Sequence, residues 1–561
     1  MLNYSFFDMK KVFIGILLLL AIVNIAGAQV DYQPYSYQFY QKLNEDVYSI
    51  STRQHTAMKP FFVDDTLLKH HYDSLMNFGN DGKQHGLGYQ KLFNEHLLDS
   101  RGANSTFYFD LLPDVGVGRD VSGKLNTNTT SIGAQFGGTI SNKFSYYFSG
   151  YYNSVLYPEY LSTYINQTGI APGQAAANTY STYGYDWTYY TALLSYTPVK
   201  YLNITLGHDK TFIGDGYRSE LLSDYASPYP FLKLTGTLGN VRYMAMWAYM
   251  DDPVAASNSV SNVSRKKFAV FHYLDWNVSN RISVGFFDAI ISYTVDDVGH
   301  ARPLDFTYLN PIIFLRPVEA SNGSPDNALL GATAKYKIND HLAVYGQFAL
   351  DEFQSAEFFT NDGSSRNKYA WQLGFRGSDL FGAKGLNYLA EYNTAKPYTY
   401  SERSYIENYS DNGEPLAQPW GANFREWVGL LNYSYKRFDF SGEADFGRYG
   451  LDENGLNWGK NIFELYTNPA RQTVSNINAL GNYTGQGLTT NMTYLEGKVA
   501  YVLNPKYNLR IELGAIYRTE NNAQFSDKTM WFTIGLRSSF RAIYNDLASF
   551  ATHQQQPGTL Y

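Results

Sequence analysis

The sequence predicts an all-β fold, a transmembrane antiparallel β-barrel of about 18 strands with a small N-terminal helical plug at its periplasmic end. This prediction rests on two sequence patterns and on an export signal. Strand-like segments have one apolar and one charged face, their connections alternate between short turns and long loops, and an export signal precedes them. Because the side chains of a strand alternate faces with a period of two, a barrel in lipid shows this two-faced pattern along its strands.

The strand near the end of the chain shows the two faces most clearly. Its predicted outward residues are Met530, Phe532, Ile534, Leu536 and Phe540, and its predicted inward residues are Trp531, Thr533, Gly535, Arg537 and Ser539. The same alternation recurs around Leu373, Phe440 and Leu513, with charges of both signs on the inner face. A soluble β-sandwich, the alternative, would leave no shared polar interior for these charges. We therefore expect the segment from Thr529 to Phe540 to close a membrane barrel.

Composition argues against several functional classes. The chain has 561 residues and no cysteine, which excludes disulfides, cysteine metal sites and a lipidated N-terminus. The net charge is −7 and no cluster of Lys and Arg stands out, so no nucleic-acid partner is expected. The mean hydropathy of −0.34 is compatible with a barrel, because barrel strands are only half apolar.

Residues 1–28 have the features of a signal peptide. Met9-Lys10-Lys11 is basic, Val12 to Ile25 is apolar, and Ala26-Gly27-Ala28 provides a small-residue cleavage site. The mature chain is expected to start near Gln29. A retained membrane anchor is the less favoured interpretation, since the apolar run is short and ends in the cleavage pattern. We predict that the protein is exported to the cell outer membrane.

Residues 29–104 lack the strand alternation and predict a helical leader. Apolar residues recur at helical spacing, as at Tyr40, Leu43 and Val47, and Pro60 interrupts the pattern. A barrel with an even number of strands leaves both chain termini in the periplasm. We therefore expect residues 29–104 to form a plug at the periplasmic mouth and residues 546–561 to form a periplasmic tail. A disordered leader is the alternative.

Residues 105–545 contain the candidate barrel strands, whose connections differ in length. The predicted short turns are at 141–143, 198–200, 239–240, 279–280, 339–340, 436–437 and 504–506, and the long segments are 154–187, 208–228, 296–326, 397–425 and 448–488. Outer-membrane barrels place short turns in the periplasm and long loops outside. The leader and the long loops are available to obstruct the lumen, which favours an occluded barrel over an open porin.

Two loop stretches, 207–231 and 302–319, combine Asp, Glu, Arg and Tyr with turn-forming Pro, and the first also contains Lys and Gly. The candidate ligand-binding residues are His208, Asp209, Lys210, Asp215, Tyr217, Arg218, Tyr225, Arg302, Asp305, Arg316 and Glu319. Aromatic faces pack on sugar rings, while carboxylates and guanidinium groups bind hydroxyls and acidic groups. Both stretches follow upward strands, so we expect one ligand surface at the outer mouth. The alternative is that these residues pair with one another and only hold the loops in place.

An enzymatic function is not expected. His208 and Asp209 could serve as a base and its orienting partner, but no G-x-S-x-G or H-E-x-x-H motif accompanies them. The pair His70-His71 also lacks a matching cluster of metal ligands. We predict no catalytic residue, no metal site and no cofactor.

Four segments resemble a known family. They are Arg53 to Pro60, Gly207 to Ser219, Pro228 to Phe231, and Leu309-Asn310-Pro311 with Arg316-Pro317-Val318-Glu319. Together they are similar to the Wzi-like capsule-assembly family, including its gliding-motility branch. The resemblance implies an outer-membrane barrel with a helical periplasmic plug that acts as a surface lectin in capsule attachment or assembly.

The resemblance also implies partners, and it leaves two alternatives open. The implied partners are outer-membrane lipid and lipopolysaccharide, surface polysaccharide, and proteins of an export or motility machinery. A surface component of gliding motility is the first alternative. A porin or uptake channel is the second.

Overall fold

The computed structural model describes residues 31–63, 66–80, 82–83, 85–141, 143–254, 265–302, 306–314, 326–352, 362–466 and 479–549. The predicted signal peptide lies outside these ranges. The chain forms a closed ring of 18 antiparallel strands, in which each strand pairs with the next along the chain and the last pairs with the first. The predicted fold class is confirmed.

The ring strands follow one another in chain order. They are β1 Ser105–Asp120, β2 Leu125–Ile140, β3 Phe144–Leu156, β4 Gly184–Val199, β5 Leu202–Asp209, β6 Tyr229–Leu238, β7 Val241–Asp252, β8 Arg265–Asn277, β9 Ile282–Tyr293, β10 Asn327–Asn339, β11 Leu342–Glu352, β12 Lys368–Gly377, β13 Leu386–Ala395, β14 Phe424–Tyr435, β15 Phe438–Leu451, β16 Leu488–Asn504, β17 Leu509–Asn521 and β18 Ser526–Ser538.

The remaining elements are short. The helices are α1 Tyr37–Tyr40, α2 Asn44–Val47, α3 Thr66–Met76, α4 Leu87–Phe93 and α5 Glu159–Thr168, and the 3-10 turns are Gln41–Leu43, Phe306–Leu309, Leu380–Gly382, Tyr405–Glu407 and Pro505–Tyr507. Paired two-residue strands include Met58–Lys59 with Phe212–Ile213 and Ser410–Asp411 with Glu414–Pro415. In the part of the chain that the structure describes, no helix is both long enough and apolar enough to cross a bilayer.

The wall has the predicted apolar outer face and polar inner face. Leu513 on β17 is 52% exposed and Ile534, its partner on β18, is 50% exposed. On the inner face, Glu512 and Arg376 are buried, and Glu512 pairs with Arg510 at 2.8 Å. The exposed apolar band is therefore the surface that contacts lipid.

Phe540 departs from this pattern and corrects the predicted end of the last strand. Pairing of β18 with β17 stops at Ser538, so the alternation of faces no longer applies beyond it. The chain turns inward there, and the Phe540 ring packs edge-on against Phe39 of the leader with centroids 5.4 Å apart. Phe540 is buried inside the barrel and does not face lipid.

The connections define two ends of the barrel. Turns such as 141–143, 239–240 and 436–437 lie at one end, called here the inner end, and loops 157–183, 210–228, 294–326, 396–423 and 452–487 leave from the other, the outer end. Two connections at the outer end, 121–124 and 522–525, are also short. The alternation of short and long connections is thus confirmed for most of the ring and fails beside the β1–β18 seam.

The leader from residue 31 and the segment that follows β18, up to residue 549, enter the lumen. In the leader, Lys42 Nζ lies 2.8 Å from an Asp439 carboxylate oxygen near the inner end, and His55 Nδ1 lies 2.8 Å from Asp275 Oδ2. After β18, an Arg518 guanidinium nitrogen donates to the Leu547 carbonyl at 3.0 Å and the Ser549 amide donates to Glu520 at 2.9 Å. Residues 546–549 therefore lie within the barrel, which corrects the expected periplasmic tail for these residues, while residues 550–561 lie outside the described ranges. Their charged and backbone groups find partners on the inner wall.

Candidate functional site in the lumen

The leader and loop 210–228 meet inside the barrel. Met58–Lys59 pairs antiparallel with Phe212–Ile213, and Lys59 Nζ donates to the Gly214 carbonyl at 2.5 Å. These residues belong to two of the four segments that carry the family resemblance. Their pairing gives both segments a shared structural role, which is to fix the leader across the lumen.

Asp215 ties this contact to the wall. Its carboxylate accepts hydrogen bonds from the hydroxyls of Thr56 and Tyr48, the latter at 2.7 Å, and lies 3.7 Å from Lys335 Nζ on β10. Burial alone would raise the pKa of Asp215, but the ammonium groups of Lys335 and Lys59 outweigh this effect and lower the pKa to about 2. Asp215 is therefore a buried anionic anchor.

Arg218 is the centre of a group of paired charges in the lumen. Its guanidinium nitrogens lie 2.7 Å from Glu426 of β14, 3.4 Å from Asp445 of β15 and 2.7 Å from Asp546 after β18. Arg218 is only 2% exposed. Burial alone would lower its pKa, but Asp546 and Glu426 hold the pKa of Arg218 well above its usual value. This arrangement braces the loop against the wall and the C-terminal segment.

Asp209, Lys210 and Tyr225 are also held by partners within the protein. Asp209 accepts a hydrogen bond from the Tyr32 hydroxyl, and Lys210 Nζ donates to the carbonyls of Gly173 at 2.5 Å and Asp224 at 2.9 Å. The Tyr225 hydroxyl lies 2.5 Å from the Tyr164 hydroxyl of α5. Tyr217, which is half-buried, donates to Asp546 at 3.2 Å. These contacts support the alternative interpretation, in which the stretch holds loops in place.

His208 lies on the opposite face of the wall from Asp209. Its ring stacks on outward-facing Tyr190 of β4 with centroids 4.2 Å apart. Adjacent residues of a strand point to opposite faces, so the Asp209 carboxylate is directed into the lumen. The two side chains therefore do not form the pair of a base and its orienting partner that a hydrolase would need. His208 is also separate from the buried side chains that pair inside the lumen.

The structure describes only part of the second stretch, 302–319. Arg302 is half-buried, forms a bidentate pair with Asp326 and lies 5.2 Å from the centroid of the Tyr293 ring. Asp305, Arg316 and Glu319 lie outside the described residues. Because most of loop 210–228 is buried, the first stretch does not form the expected exposed surface at the outer mouth.

Several residues of the luminal group were missed at the sequence level. Glu426 and Asp546 pair with Arg218, and Glu414 binds loop 210–228 through the amide and hydroxyl of Ser227 at 2.8 and 2.7 Å. The alternation of faces along β14 could have indicated that Glu426 points into the lumen. Glu414 and Asp546 lie outside regular strands of the ring, so no periodic pattern marks them.

A cavity of about 160 Å³ remains beside these segments. It lies between the leader, the C-terminal segment and the inner faces of β15 to β18 and β1, with Tyr217, Glu443 and Trp531 in its lining. Many of its charges are already paired, for example Lys498 with Glu496 at 2.6 Å. Within the described ranges, no group of three or more His, Asp or Glu side chains could hold a metal ion.

Comparison with known proteins identifies the fold. No protein-family model matches the sequence, and no curated protein matches it. Among solved structures, the chain is similar to Wzi of Escherichia coli, an outer membrane protein involved in group 1 capsule assembly and a carbohydrate-binding β-barrel. That match has 12% identity and a TM-score of 0.52, and it covers 91% of this chain and 99% of Wzi.

Other outer-membrane barrels are more distant. OprD of Pseudomonas aeruginosa has 9% identity and a TM-score of 0.40, covering 77% of this chain and 94% of its own. OccAB2 of Acinetobacter baumannii has 8% identity and a TM-score of 0.41, covering 78% and 99%. The closed ring and its apolar outer band place this protein in the cell outer membrane.

Proposed function

We propose that this protein attaches or assembles surface polysaccharide at the outer membrane, as a lectin-like protein without enzymatic activity. The observation that carries the proposal is the filling of the lumen by the leader, loop 210–228, loop 396–423 and the C-terminal segment. Buried and mutually paired charges such as those of Arg218 hold these segments together. A barrel filled in this way is suited to presenting an outer surface. The similarity in fold to Wzi, a carbohydrate-binding barrel, supports the same function.

Within this proposal, the two loop stretches have different roles. The first stretch holds the outer loops in position from inside the lumen, through Asp209, Lys210, Asp215, Arg218 and Tyr225. Contact with polysaccharide is assigned to the outer end, where Arg302, Asp305, Arg316 and Glu319 remain the predicted ligand-binding residues. Arginine and carboxylate side chains there would bind acidic groups and hydroxyls of the polymer.

Deletion of the gene and complementation would test the proposed function. We expect the deletion strain to release polysaccharide into the medium, and the unaltered chain to restore retention on the cell. Arg316→Ala should restore barrel assembly but retain less polymer, whereas Arg119→Ala, which removes an exposed arginine at the outer end of β1, should restore both. Full retention of polymer by the deletion strain would contradict the proposal.

The same strains would test the two alternatives. Gliding-motility proteins such as RemB are part of the family resemblance, so loss of cell spreading with normal polymer retention would favour a motility role. A porin or uptake channel would instead show itself as steady conductance of the purified protein in planar bilayers. Polymer loss without either effect is the result we expect.

A further inference from the structure

A row of basic side chains lies on the outer face of the wall at its outer end. Arg425 is the second residue of β14, and its direct partner across the strand pair is Arg448 of β15. Both arginines are exposed on the outward face. Lys396 follows the last residue of β13, the strand on the other side of β14. The three cations therefore lie side by side at the level where the wall meets the outer loops.

In the part of the chain that the structure describes, these three cations form no ion pair. Among the residues that the structure describes, no carboxylate lies within 4.0 Å of Lys396, Arg425 or Arg448, although ion pairs are frequent elsewhere in the barrel. Like charges directly opposite one another in a sheet are destabilising. An anion between the two guanidinium groups would remove this repulsion.

An aromatic row lies next to the cations, toward the middle of the wall. The rings of Trp371 and Tyr392 have centroids 5.0 Å apart, and those of Tyr392 and Trp427 are 4.7 Å apart. Aromatic girdles of outer-membrane barrels lie at the membrane interfaces, at the level of the lipid headgroups. The basic row is therefore at headgroup level in the outer leaflet. Below the aromatic row the surface is apolar, with Leu373 and Leu431 exposed.

A cavity of about 390 Å³ encloses part of this surface. Its wall side is formed by Trp371 and Tyr392 of the aromatic row with Lys396 and Arg425, and its outer side by residues 482–484 of the long loop before β16. The Tyr483 ring is 61% exposed beside it. The cavity thus offers cations, hydroxyl and amide groups to a headgroup, and an adjoining apolar surface to acyl chains.

We propose that this surface binds the phosphorylated headgroup of an outer-leaflet glycolipid, namely the lipid A part of lipopolysaccharide. The guanidinium groups of Arg425 and Arg448 are suited to bidentate contact with phosphate oxygens. Lys396 adds a third positive charge, the aromatic row packs against the sugar rings, and the acyl chains lie along the band that includes Leu373 and Leu431. This site is separate from the polysaccharide surface of the proposed function.

Binding of purified lipid A to the full-length protein in detergent would test the site. We expect native mass spectrometry to show retained bis-phosphorylated lipid A on the wild type and at least tenfold weaker retention on R425Q/R448Q. The matched control is R119Q/K528Q, which removes two outward-facing cations at the outer end of the neighbouring strands β1 and β18. The control should retain lipid A as the wild type does, and R425K/R448K should recover part of the binding.

Three results would overturn the proposal. The first is unchanged retention of lipid A by R425Q/R448Q at wild-type heat stability. The second is equal retention of dephosphorylated lipid A, which would show that only apolar contact holds the lipid. The third is displacement of lipid A by millimolar inorganic phosphate, which would identify free phosphate as the ligand.

Discussion

Arg218 shows how one side chain can hold several parts of the lumen together. Its guanidinium contacts carboxylates from β14, from β15 and from the segment after β18. Removing one partner of a buried ion pair leaves an uncompensated charge, which costs about 3 to 5 kcal/mol. An exposed ion pair contributes only about 0.2 to 1 kcal/mol. The luminal residues are therefore the ones whose substitution should affect the stability of the barrel most.

Arg218→Ala should lower the free energy of unfolding by about 3 to 5 kcal/mol, because Glu426, Asp445 and Asp546 lose their shared cation. The measurement is the temperature at which the folded band disappears on a semi-native gel. Arg119→Ala, an exposed arginine that donates to Asn126 at 2.7 Å, is the control and should shift this temperature little. An unchanged transition in Arg218→Ala would show that the cluster does not brace the loop.

Glu414 should make stability depend on pH. Burial raises its pKa from 4.5 to about 7, although the hydrogen bonds from Gly173 and Ser227 and the charge of Lys210 oppose the effect. The folded state holds this proton more tightly than the unfolded state does, so the stabilisation is complete below about pH 4.5 and is lost as the pH rises through 7. At about 1.4 kcal/mol per pKa unit, the loss reaches about 3 kcal/mol.

Glu414→Gln keeps the shape of the protonated side chain and removes its titration. The variant should melt above the wild type at pH 8 and close to it at pH 5. The measurement is thermal unfolding followed by tryptophan fluorescence at both pH values. A constant difference between the two proteins at all pH values would contradict the assignment.

At the scale of the element, the strand pattern could be predicted from the sequence and the loop packing could not. Alternation is a local property, so the outward faces around Leu373, Phe440 and Leu513 follow from neighbouring residues alone. The position of Phe540 depends on its contact with Phe39, and the burial of Arg218 depends on Glu426, 208 positions away. Such contacts leave no periodic signal. The sequence could have predicted that His208 and Asp209 lie on opposite faces of the wall, because adjacent residues of a strand point in opposite directions.

Leu513→Arg should test the face of β17. Its side chain points to hydrocarbon near the middle of the strand, so the charge should cost about 2 to 4 kcal/mol. Thr533→Arg is the matched control, because Thr533 lies on the neighbouring strand, lines the luminal cavity and is directed away from lipid. Folded yield and melting temperature in lipid vesicles would be compared. Equal stability of Leu513→Arg and the wild type would show that the faces are reversed.

At the scale of the whole molecule, the lumen is filled by segments that contact one another, among them the leader, loops 210–228 and 396–423, and the C-terminal segment. The Tyr400 hydroxyl of loop 396–423 donates to the Glu220 carbonyl at 2.8 Å, and the Trp420 indole donates to the Asp546 carbonyl at 3.1 Å. Leader, loops and C-terminal segment thus form one packed plug. The length and polarity of these segments made an occluded lumen predictable, while their mutual contacts depend on the closed ring.

Conductance measures how completely this plug closes the lumen. The full mature chain in a planar bilayer should conduct less than an open barrel of the same strand number. Deletion of residues 31–60 removes the contacts of Lys59 and Tyr48 with loop 210–228, so it should open a larger and fluctuating conductance. Retention of the folded band on a semi-native gel would show that the ring persists. Equal conductance of both proteins would contradict a plugged lumen.

The orientation of the barrel can be tested at two matched glycines. Gly455 lies in loop 452–487 and Gly239 in the turn between β6 and β7, and both have positive φ and open space around the Cβ position. A short epitope inserted after Gly455 should bind antibody on intact cells. The same epitope after Gly239 should bind only after the outer membrane is permeabilised. The reverse result would invert the assignment of the outer end.

The seam between β1 and β18 is shorter than the neighbouring junction. It contains six residue pairs, from Trp531 with Asp120 to Leu536 with Val115, whereas β17 and β18 share thirteen. The segment after β18 crosses this seam on the inside, where an Arg541 guanidinium nitrogen lies 3.4 Å from Asp114 of β1. That segment therefore holds the two edge strands together from the inside. When the ring is heated or pulled apart, we expect the segment after β18 to detach from β1 first. Lateral opening between β1 and β18 should follow.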